Sequence, residues 1–190
     1  MKSLEEKILQ EGKVFPGGVL KVGSFLNHQI DVPFMKEIGK EFHRLFQDEH
    51  ITKILTIETS GIAIAVACAA EFDVPVVFAK KHQTKNLTND CYVAGIHSYT
   101  HGNDYEARVE KQLLTADDTV LVIDDFLANG AALDGLLEII RQSGARLAGC
   151  GIVIEKAFQD GGRRLRELGV RIESLAQIAE MTDDGKIRFV

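Results

Sequence analysis

Two kinds of hydrophobic pattern meet near residue 50 of the chain. Before it, apolar side chains recur every three to four residues between Phe34 and Phe46, which predicts an amphipathic helix with one buried face. Asp31 and Pro33 stand where the N-cap and the first turn of that helix would lie. After residue 50, short uninterrupted apolar runs alternate with segments of helical character.

The apolar runs predict strands, and the segments between them predict helices. Strands are expected at 51–57, 74–79, 119–123, 147–154, 170–175 and 186–190, and helices at 62–70, 131–143 and 163–168. Residues 91–100 and 105–114 are expected to pair around a hairpin turn at 101–104. Because this alternation is typical of βαβ units, we predict an α/β fold with a mostly parallel, twisted sheet flanked by helices.

The length of 190 residues suits a single domain, 1–190, with a substantial core. We expect a core at about 51–170. A small hood beside it is expected from about residues 1–50 together with the C-terminal end.

Composition and charge argue against several classes of protein. The net charge is −6, and the first fifty residues hold seven Lys or Arg against eight Asp or Glu, so we expect no nucleic-acid partner. No apolar stretch reaches the roughly 18 residues of a membrane helix, and the charged start does not resemble a signal peptide. Three widely spaced cysteines argue against a disulfide framework and a zinc site, which favours the cytoplasm.

The clearest candidate site follows the apolar run at 119–123. Asp124 and Asp125 come directly after it, and a loop of small residues then leads into the helix predicted at 131–143. Ligands of open α/β sheets bind at the carboxyl ends of strands, and free N–H groups at a helix N-terminus attract phosphate. Carboxylates beside a phosphate need hydroxyl donors, which a ribose supplies. The residues therefore predict a sugar-phosphate site, although one aspartate alone would be an ordinary helix cap.

This segment resembles the phosphoribosyl pyrophosphate (PRPP) motif of the type I phosphoribosyltransferases. The resemblance implies that Asp124 and Asp125 are the catalytic acids that hold the ribose, and that Mg²⁺ arrives with PRPP without a site built from protein side chains. It also assigns the 5-phosphate to a loop, here called the phosphate loop, made of Ala128, Asn129, Gly130, Ala131 and Ala132. Family members usually carry hydroxyl groups there, whereas this loop offers backbone N–H groups and the Asn129 side chain.

Two further loops follow from the resemblance. The diphosphate loop would be Glu58, Thr59, Ser60 and Gly61, although small hydroxyl residues before a helix are also common caps. A mobile loop that excludes water from the reaction would start near residue 80. Its lysines Lys80, Lys81 and Lys85 could meet the diphosphate charge, and each is as compatible with an ordinary exposed loop.

The resemblance also implies the base. In 6-oxopurine members a lysine at the place of Lys156 donates to O6, and the positions of Leu20 and Asn27 line the base pocket. The expected reaction joins xanthine to PRPP, giving xanthosine 5′-monophosphate and diphosphate in purine salvage, and the expected assembly is a homodimer. Lys156 disfavours adenine, whose 6-amino group is itself a donor. The alternatives are a hypoxanthine-guanine or adenine transferase, or a PRPP-sensing regulator that binds nucleic acid.

Overall fold

A computed structural model describes residues 1–81, 90–98 and 103–190. Within these residues the elements are, in chain order, α1 (Lys2–Glu11), β1 (Lys13–Phe15), β2 (Val19–Lys21), a π-type turn (Gly23–Asn27), α2 (Val32–Leu45), β3 (Lys53–Ile57), α3 (Gly61–Phe72), β4 (Val76–Ala79), β5 (Cys91–Ser98), β6 (Asn103–Glu110), a short 3₁₀ turn (Lys111–Leu113), β7 (Thr119–Leu127), α4 (Ala131–Ser143), β8 (Arg146–Lys156), α5 (Asp160–Glu167), β9 (Ile172–Met181) and β10 (Ile187–Phe189).

Six of the strands form the central sheet, in the order β10-β9-β8-β7-β3-β4. Its strands run parallel except β10, which pairs with β9 in the antiparallel sense. Parallel strands need crossover connections, and α3, α4 and α5 supply them. This architecture confirms the predicted α/β class.

Both faces of the sheet are covered, which explains why its central strands are continuously apolar. On one face, sheet residues such as Leu121 and Ile123 pack with side chains of α1, α2 and α3. On the other face, Val120 and Val122 pack with α4, α5 and the β5–β6 hairpin. The hairpin rests closely on α4, because a Cβ at Gly135 would lie 2.5 Å from the Ile96 side chain.

Most predicted elements are present, and their ends follow local chemistry. The Asp31 side chain accepts a hydrogen bond of 3.1 Å from the Phe34 N–H and so caps α2 as predicted. Gly144 ends α4 in the left-handed region with φ of 74°. Several boundaries were wrong. β7 does not stop at Ile123 but runs on to Leu127, because its ladder with β8 continues to the pair Leu127 and Glu155. β9 runs beyond its predicted end at 175 to Met181, and β6 ends at Glu110, short of its predicted end at 114.

The parts assigned to the hood contact the rest of the fold through α1, α2 and β10. Helix α2 packs against α3, and β10 extends the sheet at β9. The division into hood and core stays a prediction, as does the turn at 101–104, which lies partly outside the described residues. No helix of the described residues is long and apolar enough to cross a membrane.

Candidate functional site

The carboxyl ends of β3, β4 and β7 meet around a cavity of about 200 Å³. Because the strands are parallel, the loops that follow them lie at the same edge of the sheet. The cavity is lined by Ile57, Glu58, Thr59, Ser60, Gly61, Lys81, Tyr105, Asp124, Asp125, Phe126 and Ala132. The predicted acids, the predicted diphosphate loop and one predicted lysine are thus brought together.

Among the predicted site residues that the structure describes and that can ionise, Asp124 is the most deeply buried, with an exposed fraction of 5%. Its Oδ1 accepts a hydrogen bond of 2.9 Å from the Asp125 N–H. Burial, reinforced by the negative charge of Asp125, raises the pKa of Asp124 well above its ordinary value, and Lys81 opposes this rise. The site therefore contains a carboxyl group whose charge the protein itself stabilises poorly.

Asp125 is half-buried and faces a different neighbour. Its Oδ1 accepts from the Phe126 N–H at 3.0 Å, and its Oδ2 accepts from the Asn27 side-chain amide at 3.1 Å. Asn27 is exposed and ends the π-type turn. Asn27 was predicted to line the base pocket; the structure places it in direct contact with an acid of the ribose site.

The diphosphate loop joins β3 to the first turn of α3. The Lys81 N–H donates to the Glu58 carboxylate, which ties this loop to the end of β4. The Glu58–Thr59 peptide bond is cis. Gly61 begins α3, where backbone N–H groups lack helical partners and attract anions. The geometry suits a negatively charged group, and its assignment to diphosphate stays a prediction.

The phosphate loop leads from β7 into α4. Gly130 has a φ of 89°, a conformation that favours glycine, and directly precedes Ala131, the first helical residue. The Asn129 side chain accepts from the Ala131 N–H at 3.1 Å, so in this state the amide turns back on its own loop. Arg164 of α5 lies beside the loop and forms an ion pair with Asp134 at 2.6 Å. Ala132 reaches the cavity, which links this loop to the acids.

Lys156 lies at the end of β8, next to β7. Its Nζ donates a hydrogen bond of 2.9 Å to the Gly18 carbonyl and lies 5.7 Å from the centre of the Phe126 ring. Burial lowers its pKa. The bond to Gly18 connects β8 to the turn before β2, which carries Leu20, a core residue with an exposed fraction of 6%. Of the three residues predicted to bind the base, Asn27 thus contacts Asp125 and Lys156 lies near the Phe126 ring, whereas Leu20 is buried in the core.

The three predicted lysines have different positions. Lys81 lines the cavity of the acids, and its Nζ lies 5.3 Å from the centre of the Tyr105 ring. Lys80 instead pairs through its backbone with Arg108 and borders a larger cavity of about 480 Å³, which none of the predicted acids lines. Lys85 lies outside the described residues. Among the predicted lysines that the structure describes, Lys81 is therefore the one placed to meet substrate charge.

Three residues near the site carried no signal in the sequence. Phe126 lies between the acids and Lys156, and Tyr105 reaches the cavity from β6 with a pKa raised by burial and by the charge of Asp124. Thr56, on β3, lies beside Gly61, whose Cβ position is also close to Asp124. Each occupies an apolar or strand pattern that packing alone would explain, so only the three-dimensional arrangement connects them with the site.

Comparison with known sequences confirms the family resemblance. The sequence profile of the phosphoribosyl transferase domain matches residues 27–167. A xanthine phosphoribosyltransferase of Bacillus cytotoxicus is 57% identical over all 190 residues, which cover 96% of that protein. A xanthine phosphoribosyltransferase 1 of Clostridium perfringens is 54% identical, with both chains covered completely.

Solved structures of lower identity share the fold. Adenine phosphoribosyltransferase from Thermoanaerobacter pseudethanolicus superposes with a TM-score of 0.75 at 17% identity, over 92% of this chain and 99% of that one. The enzyme from Trypanosoma brucei gives a TM-score of 0.76 at 18% identity, over 92% of this chain and 79% of that one. At such identities the likeness concerns the fold alone.

Proposed function

Because the chain belongs to the phosphoribosyltransferase family, we propose that it joins xanthine to PRPP and releases xanthosine 5′-monophosphate and diphosphate. The reaction replaces the bond between the anomeric carbon and the diphosphate oxygen by a bond to a ring nitrogen of the base. The base reacts as the anion that has released the proton of that nitrogen to solvent, and diphosphate departs with the electron pair of the broken bond. Such a reaction recovers a free purine base, which is purine salvage.

The observation that carries this proposal is the pair of adjacent carboxylates facing one cavity with an anion-binding helix start. Positive charge develops on the ribose as diphosphate leaves, and fixed negative charges beside it lower the energy of that state. Asp124 and Asp125 would accept hydrogen bonds from the ribose hydroxyls. The diphosphate loop and Lys81 would hold the leaving group, while the phosphate loop would anchor the 5-phosphate.

The base would lie on the β8 side of the acids. Lys156 is a donor that suits O6 of a 6-oxopurine, and the neighbouring Phe126 ring offers an apolar face for stacking. Asn27 can donate to an oxygen at C2, which xanthine has and hypoxanthine lacks. Leu20, a buried core residue, would pack against the base ring.

The proposal includes Mg²⁺ bound together with PRPP. Mg²⁺ prefers oxygen ligands and is often held by substrate phosphates with few protein groups. The described residues include no cluster of three or more His, Cys, Asp or Glu that could hold a metal by itself. Diphosphate and ribose oxygens would supply its ligands, and the ion would neutralise charge on the leaving group.

We further propose that the enzyme acts in the cytoplasm as a homodimer. Two of its three cysteines, Cys68 and Cys150, are buried and form no disulfide in the structure, which suits a reducing compartment. Sedimentation of the purified chain over a range of concentrations tests the dimer, and fractionation of the source cells tests the compartment.

A substrate panel tests the central proposal. Purified enzyme with Mg²⁺ and PRPP is offered xanthine, guanine, hypoxanthine and adenine separately, and nucleotide formation and diphosphate release are measured together. We expect the highest kcat/KM for xanthine and the lowest for adenine. If guanine or adenine gives the highest kcat/KM, that base and not xanthine is the substrate. Absence of turnover with all four bases, together with PRPP binding, would favour a regulator.

A further inference from the structure

The Thr56 hydroxyl is buried without a partner. Thr56 has an exposed fraction of 0%, and among the described residues its Oγ1 is the buried side-chain polar atom for which no hydrogen-bond partner is found. Burying a hydroxyl without a hydrogen bond costs stability, about 1–3 kcal/mol from protein mutational data. Valine has nearly the same shape and would avoid this cost, so the hydroxyl calls for an explanation in another state of the enzyme.

Gly61 brings this hydroxyl next to Asp124. A Cβ at Gly61 would lie 2.1 Å from Thr56 Oγ1 and 3.2 Å from Asp124 Oδ1. The two oxygens therefore face the same point, and their separation cannot exceed the sum of these distances. Only the glycine hydrogen stands at that point, so no side chain blocks contact between the hydroxyl and the carboxylate.

The needs of the two groups are complementary. Thr56 has a donor without an acceptor, and Asp124 is a buried carboxyl group whose negative charge repels that of Asp125. A carboxylate oxygen can accept more than one hydrogen bond, so Oδ1 can keep its bond from the Asp125 N–H and accept the hydroxyl as well. A modest rotation of either side chain is what their contact requires.

We propose that Thr56 is a positioning residue for the reaction: in the substrate-bound enzyme its hydroxyl donates to Asp124 Oδ1 and turns the other carboxylate oxygen toward the ribose. This inference rests on the proposed function and adds to it a residue that touches no substrate. The hydroxyl holds the carboxylate ionised and in one orientation while positive charge develops on the ribose. The unsatisfied hydroxyl destabilises the free enzyme, and the hydrogen bond to Asp124 offsets this cost in the substrate-bound enzyme.

The test compares Thr56→Val, which removes the hydroxyl at nearly constant shape, with Thr56→Ser, which keeps it. Loss of a hydrogen bond to a charged group corresponds to a fall of about tenfold to a hundredfold in kcat for Thr56→Val. KM for xanthine should stay within about twofold, since the base contacts are untouched, and the melting temperature should be equal or higher. Thr56→Ser should keep kcat near the wild-type value although it loses a buried methyl group and some stability.

Other outcomes overturn the proposal. Wild-type kcat in a folded Thr56→Val variant would do so, as would an equal loss in Thr56→Ser, which would assign the effect to packing. If Thr56→Val does not fold, Thr56→Ala against Thr56→Ser gives the same comparison, because these two differ only by the hydroxyl.

A double-mutant cycle with Asp124→Ala, which removes the acceptor, locates the effect. Thr56→Val should weaken PRPP binding, measured by calorimetry, in the wild type but not further in the Asp124→Ala background. Additive losses would show that Thr56 does not act through Asp124. Because this readout needs no base, it stays valid if xanthine is not the substrate, and an inactive wild type would count against the proposed function alone.

Discussion

Asp124 and Glu155 are buried carboxyl groups on neighbouring parallel strands, and they differ in how their charge is met. Glu155 on β8 accepts two hydrogen bonds of 2.7 Å from the Arg166 guanidinium and a third from the Ser174 hydroxyl. Asp124 on β7 accepts from a backbone N–H, and its adjacent side chain, Asp125, is negatively charged. Burial acts to raise the pKa of both carboxyl groups. In Glu155 the hydrogen bonds from Arg166 and Ser174 outweigh this effect, so its pKa is lowered.

Both carboxyl groups also depend on a glycine. A Cβ at Gly162 would lie 1.9 Å from Glu155 Oε1, and a Cβ at Gly61 would reach the space between Asp124 and Thr56. The protein thus makes room for each carboxylate, but supplies full neutralisation to one of them. The difference indicates that Glu155 holds β8, α5 and β9 together, whereas Asp124 is arranged for donors and positive charge that the substrate brings.

The largest expected effect is on turnover when both acids of β7 lose their charge. Asp124→Asn with Asp125→Asn keeps the volume and removes the fixed negative field beside the ribose, so kcat should fall at least about a hundredfold. Far-UV circular dichroism should be unchanged. The matched control is Asp183→Asn with Asp184→Asn, an equally adjacent but exposed pair, which should keep full activity. Near-normal turnover in the Asp124 and Asp125 variant would remove the ribose assignment.

The second prediction concerns stability and has opposite signs for the two carboxyl groups. Glu155→Gln leaves Arg166 without its carboxylate and should lower the free energy of unfolding by about 3 kcal/mol, the lower end for a broken buried pair because Arg166 is about one-third exposed. Asp124→Asn should raise that free energy at pH 7, since it removes a charge that burial disfavours. Urea unfolding of both variants measures this, and the same sign in both would abolish the distinction.

The pH dependence of unfolding follows from the same shifts. The lowered pKa of Glu155 means that its contribution is present above the ordinary value of 4.5 and is lost as pH falls through the lower folded value. The raised pKa of Asp124 means that its neutral form stabilises the fold below the ordinary value of 3.8, and that this stabilisation is lost as pH rises toward the folded value. The free energy of unfolding of Asp124→Asn should therefore exceed that of the wild type most at neutral pH and only slightly at pH 4.

The comparison also shows what a sequence can predict here. Asp124, Asp125 and the loops at the ends of β3 and β7 could be predicted because chain order places them at the carboxyl edge of a parallel sheet. The surroundings that distinguish the carboxyl groups could not, since they bring together residues distant in the chain: Asn27 donates to Asp125, and the Thr56 hydroxyl and Asp124 both lie near the Cβ position of Gly61. Thr56 reads as one residue of a buried strand, and its missing partner is visible only in three dimensions.

The third prediction concerns Lys156, which follows Glu155 directly on β8. Lys156→Ala should lower kcat/KM for every 6-oxopurine by a factor that corresponds to about 2 kcal/mol, which lies within the range for a hydrogen bond to a charged group. KM for PRPP should change little. The control is Lys186→Ala, a variant of an exposed lysine far along the chain. If KM for PRPP rises and the base constants do not move, Lys156 contacts the diphosphate side and its assignment to O6 is wrong.

The smallest expected effect tests whether Asn27 forms a hydrogen bond with the base at C2 or holds the Asp125 side chain in place. Xanthine has an oxygen at C2 where guanine has an amino group, so a donor facing C2 favours xanthine, and removing it leaves the preference weaker. Asn27→Ala should lower the xanthine-to-guanine ratio of kcat/KM by about twofold to tenfold, the range for one neutral hydrogen bond. The exposed neighbour His28 provides the control, because His28→Ala should leave the ratio unchanged.

Asn27 also donates to Asp125 Oδ2 at 3.1 Å in the structure, and loss of that bond alone would slow the reaction of all bases equally. An unchanged ratio with a uniform fall in kcat would therefore assign Asn27 to Asp125, as Thr56 is assigned to Asp124, and would leave the reading of C2 to another residue.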